Sequence, residues 1–220
     1  MQEFWDSFSQ LLDAEALIRS GGFYLVIFIV FAETGLFFGF FLPGDYLLFL
    51  AGLFCASGML SVDIFTLCMG LFVAGVLGNF TGYWFGWRTG PMLFKRKDTW
   101  LFKRRYVVMA EEFYHKYGGV ALIIGRFMPI IRTFAPILAG IVQLDFRKFV
   151  LYNISGGAIW VLTLTLSGFF LGREFPQIVN YIEYIIVGFI AISFSPILIA
   201  LIRRKLHLNK NEVEAKNKQP

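Results

Sequence analysis

Residues 31–54 read FAETGLFFGFFLPGDYLLFLAGLF, and further along residues 122–141 read LIIGRFMPIIRTFAPILAGI. Both are apolar stretches interrupted in the same way. Proline cuts each run, ionisable residues sit inside it, and Leu50-Ala51-Gly52 in the first matches Leu138-Ala139-Gly140 in the second. Proline removes a backbone donor and glycine loosens the chain, so a straight helix through Phe41-Leu42-Pro43-Gly44-Asp45 is disfavoured. Irregular backbone at membrane depth survives only where protein or a water-filled cavity covers it. We therefore read two broken hairpins, 22–60 and 120–142, with Pro43, Gly44, Pro129 and Pro136 at their breaks. Asp45 and Arg132 stand at nearly the same distance before the matching glycines, which points to a diverged internal repeat.

The rest of the chain supports a membrane setting. Hydrophobic residues make up 57% of it and charged residues 16%, with 27 Phe; a soluble domain is about 45–50% apolar and about 25% charged. Basic residues cluster at Arg88, Lys95, Arg96, Lys97, Lys103, Arg104, Arg105 and Lys116, and again at Arg203, Arg204 and Lys205. Both clusters abut apolar runs, which fits cytoplasmic flanks of membrane spans better than nucleic-acid binding. No nucleic-acid partner is expected, and no cofactor or metal, because Cys55 and Cys68 lie alone in apolar runs without metal spacing.

The expected layout is an N-terminal amphipathic helix over 1–21, stopped at Gly21-Gly22, then a membrane domain over 22–202. Within that domain the first hairpin is followed by a span over 62–87 that ends in the aromatic group Tyr83, Trp84 and Trp87 and is closed by Gly90-Pro91. An amphipathic cytoplasmic helix over 92–117 follows, with Tyr106, Ala110, Phe113 and Tyr117 at helical spacing. After the second hairpin come spans over 149–171 and 181–202, and then a polar cytoplasmic tail, 203–220. The fold class is all-α. If both broken runs are re-entrant, the charge pattern makes them enter from opposite sides, as an inverted repeat.

Four residues carry the candidate chemistry: Glu33, Asp45, Arg126 and Arg132. Each costs roughly 2.5–3.5 kcal/mol at the centre of a membrane helix, so they must pair or face water. Arg126 and Arg132 suit an anionic head group such as phosphate, which a planar guanidinium binds through two donors. Glu33 and Asp45 suit a proton or a coupling cation. The competing reading is a set of buried salt bridges that only pins two hairpins together. Asn79 and Asn153 read as polar groups within the bundle. No Ser–His–Asp arrangement, zinc-protease motif or phosphate-binding loop is present, so transport rather than catalysis is expected.

Taken together, Glu33-Thr34-Gly35, Phe41-Leu42-Pro43-Gly44-Asp45, Gly125-Arg126-Phe127-Met128-Pro129, Arg132-Thr133-Phe134-Ala135-Pro136 and Leu138-Ala139-Gly140 resemble the DedA family of bacterial inner-membrane proteins, part of the superfamily bearing the SNARE-associated Golgi protein domain. The resemblance covers roughly residues 20–200. It implies two facing re-entrant hairpins, functional acids at Glu33 and Asp45, functional arginines at Arg126 and Arg132, and a place in the bacterial cytoplasmic membrane. It also implies lipid handling: return of undecaprenyl phosphate across the membrane, and a link to envelope stability that depends on the proton-motive force. The competing readings are an uncoupled phospholipid scramblase and a proton- or cation-coupled small-solute transporter, and a homo-oligomer is compatible with any of them. One departure stands out: many members have Gly-Asp where this chain has Gly78-Asn79.

Because positive charge marks the cytoplasmic side, the variants Lys97→Cys and Lys210→Cys should resist impermeant thiol reagents in intact cells. Ready labelling of either would overturn this topology.

Overall fold

The computed structural model describes residues 14–36, 44–95, 112, 114, 119–126, 128–181 and 188. The chain divides into a unit over Met1–Asn180, which holds the helices of the bundle, and a second over Tyr181–Pro220. Most of the segments expected over 1–21 and 92–117, nearly all of the 181–202 span, and Pro43 lie outside the described residues. Every regular element among the described residues is helical. In chain order these are α1 Ala14–Gly35, α2 Gly44–Ala56, α3 Ile64–Lys95, α4 Val120–Gly125, α5 Pro129–Ile141 and α6 Phe146–Glu174, with a 3-10 turn at Pro176–Tyr181.

Local chemistry explains where these helices start and stop. Gly22 breaks the helical path of α1 with φ 56°, a left-handed value open to glycine. Asp63 accepts from the Thr66 amide at 3.0 Å and starts α3, and Asp145 does the same for Lys148 at 3.0 Å and starts α6. Between α4 and α5, Met128 is extended, at φ −116° and ψ 110°. Proline forces that conformation on the residue before it, and Pro129 then opens α5 at a position where its missing N–H leaves no gap.

Two expected breaks are absent. Pro136 lies inside α5, which runs on to Ile141, and Gly90-Pro91 lies inside α3, which runs on to Lys95. An internal proline removes one i→i−4 hydrogen bond, and the bonds on either side suffice here to carry the helix through. Tyr83 also departs from expectation. It is buried, donates to the Leu144 carbonyl at 2.7 Å, and stacks on Phe149 with ring centroids 4.3 Å apart. Of the three aromatics, only Trp84 and Trp87 face outward.

Length separates the helices into two kinds. With a rise of about 1.5 Å per residue, 32-residue α3 and 29-residue α6 exceed the hydrocarbon thickness of about 30 Å. The 13-residue helices α2 and α5 reach only about 20 Å. Helix α3 is the hub, packed on α1, α2, α5 and α6. The two short helices dock crosswise: α2 lies chiefly on α6, and α5 chiefly on α3. Both crossings use glycine. A Cβ on Gly52 of α2 would run into the Thr165 carbonyl of α6, and one on Gly168 of α6 into the Phe49 carbonyl of α2. A Cβ on Gly140 of α5 would run into the Tyr83 carbonyl of α3, and one on Gly86 of α3 into the Ile137 carbonyl of α5. The two Leu-Ala-Gly motifs therefore do the same physical work, bringing backbones into close approach.

A backbone carbonyl has no rotamer through which to move aside. Gly52→Ala and Gly140→Ala should each lower stability by about 1–3 kcal/mol. Gly82→Ala, whose Cβ would meet side chains at an ordinary 3.5 Å, should be neutral or stabilising by up to about 1 kcal/mol. Thermal unfolding in detergent tests the contrast.

Candidate functional site

Polarity is reversed in this bundle. Tyr24 is 81% exposed and Phe65 73%, whereas Glu33 is 1% exposed, Arg126 2% and Arg132 3%. An apolar groove of about 710 Å³ runs along the outside between α1 and α3, past Phe23, Ile27, Phe31, Phe65 and Met69. Such a surface suits lipid as solvent, and its interior must satisfy its own charges.

Arg132, in the first turn of α5, does most of this. Its Nη2 donates to Glu33 of α1 and its Nη1 to Asp45 of α2. The fork of the guanidinium allows one side chain to hold two carboxylates at once. Asp45 lies in the first turn of α2, where the positive end of the helix dipole favours a carboxylate. Gly44 abuts the Glu33 carboxylate so closely that a Cβ there would overlap it. The glycine at the start of α2 thus makes room for the acid as well as ending the interruption.

Arg126 follows the last residue of α4 and pairs with no carboxylate among the described residues. Its Nη2 donates to the Asn153 main-chain carbonyl at 3.1 Å and to the Asn153 side-chain oxygen. Asn79 of α3 donates to that same oxygen at 2.9 Å, and Asn153 anchors its own amide on the Val76 carbonyl at 3.2 Å. The interruption between Gly125 and Pro129 frees the two arginines from a common helix, and they reach different partners.

Trp160 of α6 joins the two halves. Its indole N–H donates to Asp45 Oδ1 at 2.8 Å. Its ring faces Arg132 at 4.8 Å and Arg126 at 5.9 Å from the guanidinium carbon to the centroid, both within cation–π range. Sequence reasoning missed this residue, because a Trp between Ile159 and Val161 reads as lipid-facing or core. The available signal was chemical: an indole N–H deep in an apolar segment needs an acceptor. Several buried atoms have no partner among the described residues: Glu33 Oε2, Arg132 Nε, Arg126 Nη1, Asn79 Oδ1, Thr133 Oγ1 and Thr165 Oγ1.

The VTT domain model matches residues 42–170, a stretch that contains Asp45, Asn79, Arg126, Arg132, Asn153 and Trp160. This chain belongs to the DedA family of VTT-domain membrane proteins. Protein DedA of Escherichia coli is 37% identical over 183 residues, 83% of each chain. An uncharacterized membrane protein of Mycobacterium tuberculosis is 40% identical over 178 residues, 81% of this chain and 78% of its own. The inner membrane protein YqjA of Escherichia coli is 35% identical over 184 residues, 82% of this chain and 80% of its own. No solved structure matches. Like these DedA-family relatives, the chain is a membrane protein, with α3 and α6 long and apolar enough to cross.

The two arginines of this DedA-family chain should respond differently to lysine. A single ammonium in place of the Arg132 fork cannot hold both acids in the same geometry, and breaking a buried pair costs about 3–5 kcal/mol. Arg132→Lys should therefore lose folded yield and melt lower. Arg126→Lys, whose partners are neutral, should accumulate near wild-type levels. Size-exclusion profiles and melting curves of the two variants check this.

Proposed function

We propose that this protein is a transporter that carries an anionic lipid across the bacterial cytoplasmic membrane, and that undecaprenyl phosphate, the lipid implied by the resemblance, is its substrate. The observation that carries this reading is Arg126: a guanidinium sealed in the bundle that, among the described residues, bonds only to neutral groups and leaves Nη1 without an acceptor. An oxyanion is the partner such a group lacks. The apolar groove on the lipid-facing wall favours a lipid over a small solute. Arg132, expected to share the anion, has both terminal nitrogens on carboxylates, so in this reading Arg126 makes first contact and Arg132 joins when an acid lets go.

Charge balance supports proton coupling. Glu33 and Asp45 together offset Arg126 and Arg132, so an arriving anion leaves the cluster negative unless a proton enters with it, and the two acids are the groups to take it. The short helices α2 and α5 support the re-entrant reading, since neither is long enough to span. Their crosswise docking on α6 and α3 supports an inverted repeat. In this arrangement residues 88–118 and the C-terminal tail lie in the cytoplasm.

The test is flipping of a short-chain polyprenyl phosphate in proteoliposomes, with and without a pH gradient. Wild type should flip it, and faster with the gradient. Arg126→Lys should flip at least about tenfold more slowly, roughly the effect of losing one charge-assisted hydrogen bond. Equal rates with and without the gradient would remove coupling and leave a scramblase. Failure to move any anionic lipid would overturn the proposal.

A further inference from the structure

The two arginines are provided for unequally. Two carboxylates hold Arg132, whereas Arg126 bonds to Asn153, whose side-chain oxygen also accepts from Asn79. Each of the two groups that donate to Asn153 has a second end left over: Arg126 Nη1 has no acceptor and Asn79 Oδ1 has no donor among the described residues. The finished ends of the two groups meet at one atom. Arg126 Nη2 and Asn79 Nδ2 both donate to the same Asn153 oxygen. Gly75 lies one turn before Asn79 on the same face of α3, and a Cβ there would sit 3.9 Å from Nη1. Gly157 lies one turn after Asn153 on α6, and a Cβ there would sit 3.3 Å from Nη1. Two helices thus present glycine where any side chain would cover the open end of the guanidinium.

We propose that Arg126 Nη1 and Asn79 Oδ1 form a two-point head-group subsite: an anionic oxygen is held by the arginine, and an O–H or N–H of the same head group donates to the asparagine. The proposal rests on the anionic-lipid reading above and adds a rule of selection to it. Asn79 suits this role because an amide oxygen accepts a hydrogen bond without bringing a negative charge to the anion, as a carboxylate would. A phosphate monoester retaining one proton satisfies both points, and so does a phosphodiester whose substituent carries N–H or O–H. A head group with neither leaves Asn79 Oδ1 buried and unmatched. Sites built to bond a polar group reject analogues that lack it far more strongly than apolar pockets reject a methylene. Gly75 and Gly157 keep side chains away from Nη1.

The experiment uses the full-length protein in detergent micelles and two pairs of probes, each differing in the donor. One pair is a short-chain polyprenyl monophosphate and its methyl ester, compared near pH 6, about the second pKa of a phosphomonoester. The other is phosphatidylethanolamine and phosphatidylcholine. Competitive displacement gives relative affinities. Wild type should prefer the donor-bearing member of at least one pair by about tenfold, the effect of one buried hydrogen bond left unmade. Asn79→Leu should bring that preference to within about twofold while still binding the donor-free member, because Arg126 remains. Gly75→Ala gives a second route to the same space: its Cβ would lie 3.4 Å from the Trp160 ring, an ordinary contact. That variant should melt no lower than wild type yet bind both members more weakly. A helix glycine with only a structural role would leave binding untouched.

Equal affinities within both pairs in wild type, the result expected if a buried water alone joins the two atoms, would overturn the subsite and leave the anion at Arg126 standing. So would a preference that survives in Asn79→Leu, or unchanged binding in Gly75→Ala. If wild type binds none of the four lipids, the anionic-lipid reading itself fails. Should Asn79→Leu not fold, the wild-type comparison and Gly75→Ala still decide the matter.

Discussion

The guanidinium of Arg132, held between Glu33 and Asp45, is the contact on which the other features depend. In an apolar solvent the three charges are tolerable only together, because an unpaired buried charge costs several kcal/mol. That requirement draws α1, α2 and α5 to one point. It accounts for the glycine at the start of α2, where a side chain would displace a carboxylate. It also accounts for the indole of Trp160, which both bonds to Asp45 and covers the guanidinium. A triad of two acids and one base is one negative charge in excess, and Arg126, which faces the same indole, balances it.

Around this point the packing has a paired character. The short helix α2 of the first half rests on the long helix α6 of the second, and the short helix α5 of the second half rests on the long helix α3 of the first. Each crossing is made close by glycines on both partners, and close backbone approach at small residues is a principal source of helix–helix attraction in lipid, where apolar side chains gain little by leaving the solvent. Neither half can finish its packing alone. The polar site lies where the two exchanges meet, so the charges and the glycines serve the same architecture.

Much of this was legible in the residues. Ionisable side chains inside apolar runs are conspicuous because they are expensive there, and Pro129 marks a true interruption with an extended Met128 before it. The pairing was less legible. Two acids and two bases suggested two bridges or a two-arginine clamp, but a forked side chain can serve both acids, and only packing shows that Arg132 does so while Arg126 turns to amides. Pro136 and Gly90-Pro91 were read as stops because proline usually is one; the helices nevertheless run on through both. Tyr83 and Trp160 lie in helices whose apolar residues are spread around every face, so periodicity could not assign the inward one.

The ion triad also sets the order in which the molecule can be completed. Glu33 and Arg132 are 99 residues apart in the chain, and Asp45 and Arg132 are 87 apart. At synthesis rates of about 5–20 residues per second, the acids leave the ribosome some 5–20 s before their partner. During that interval the first hairpin has two carboxylates and nothing to set against them. Until Arg132 arrives, those carboxylates are costly to bury in lipid. The segment made first is therefore the last to settle, and a chain cut short before Arg132 would leave a nascent hairpin that the bilayer has no reason to accept.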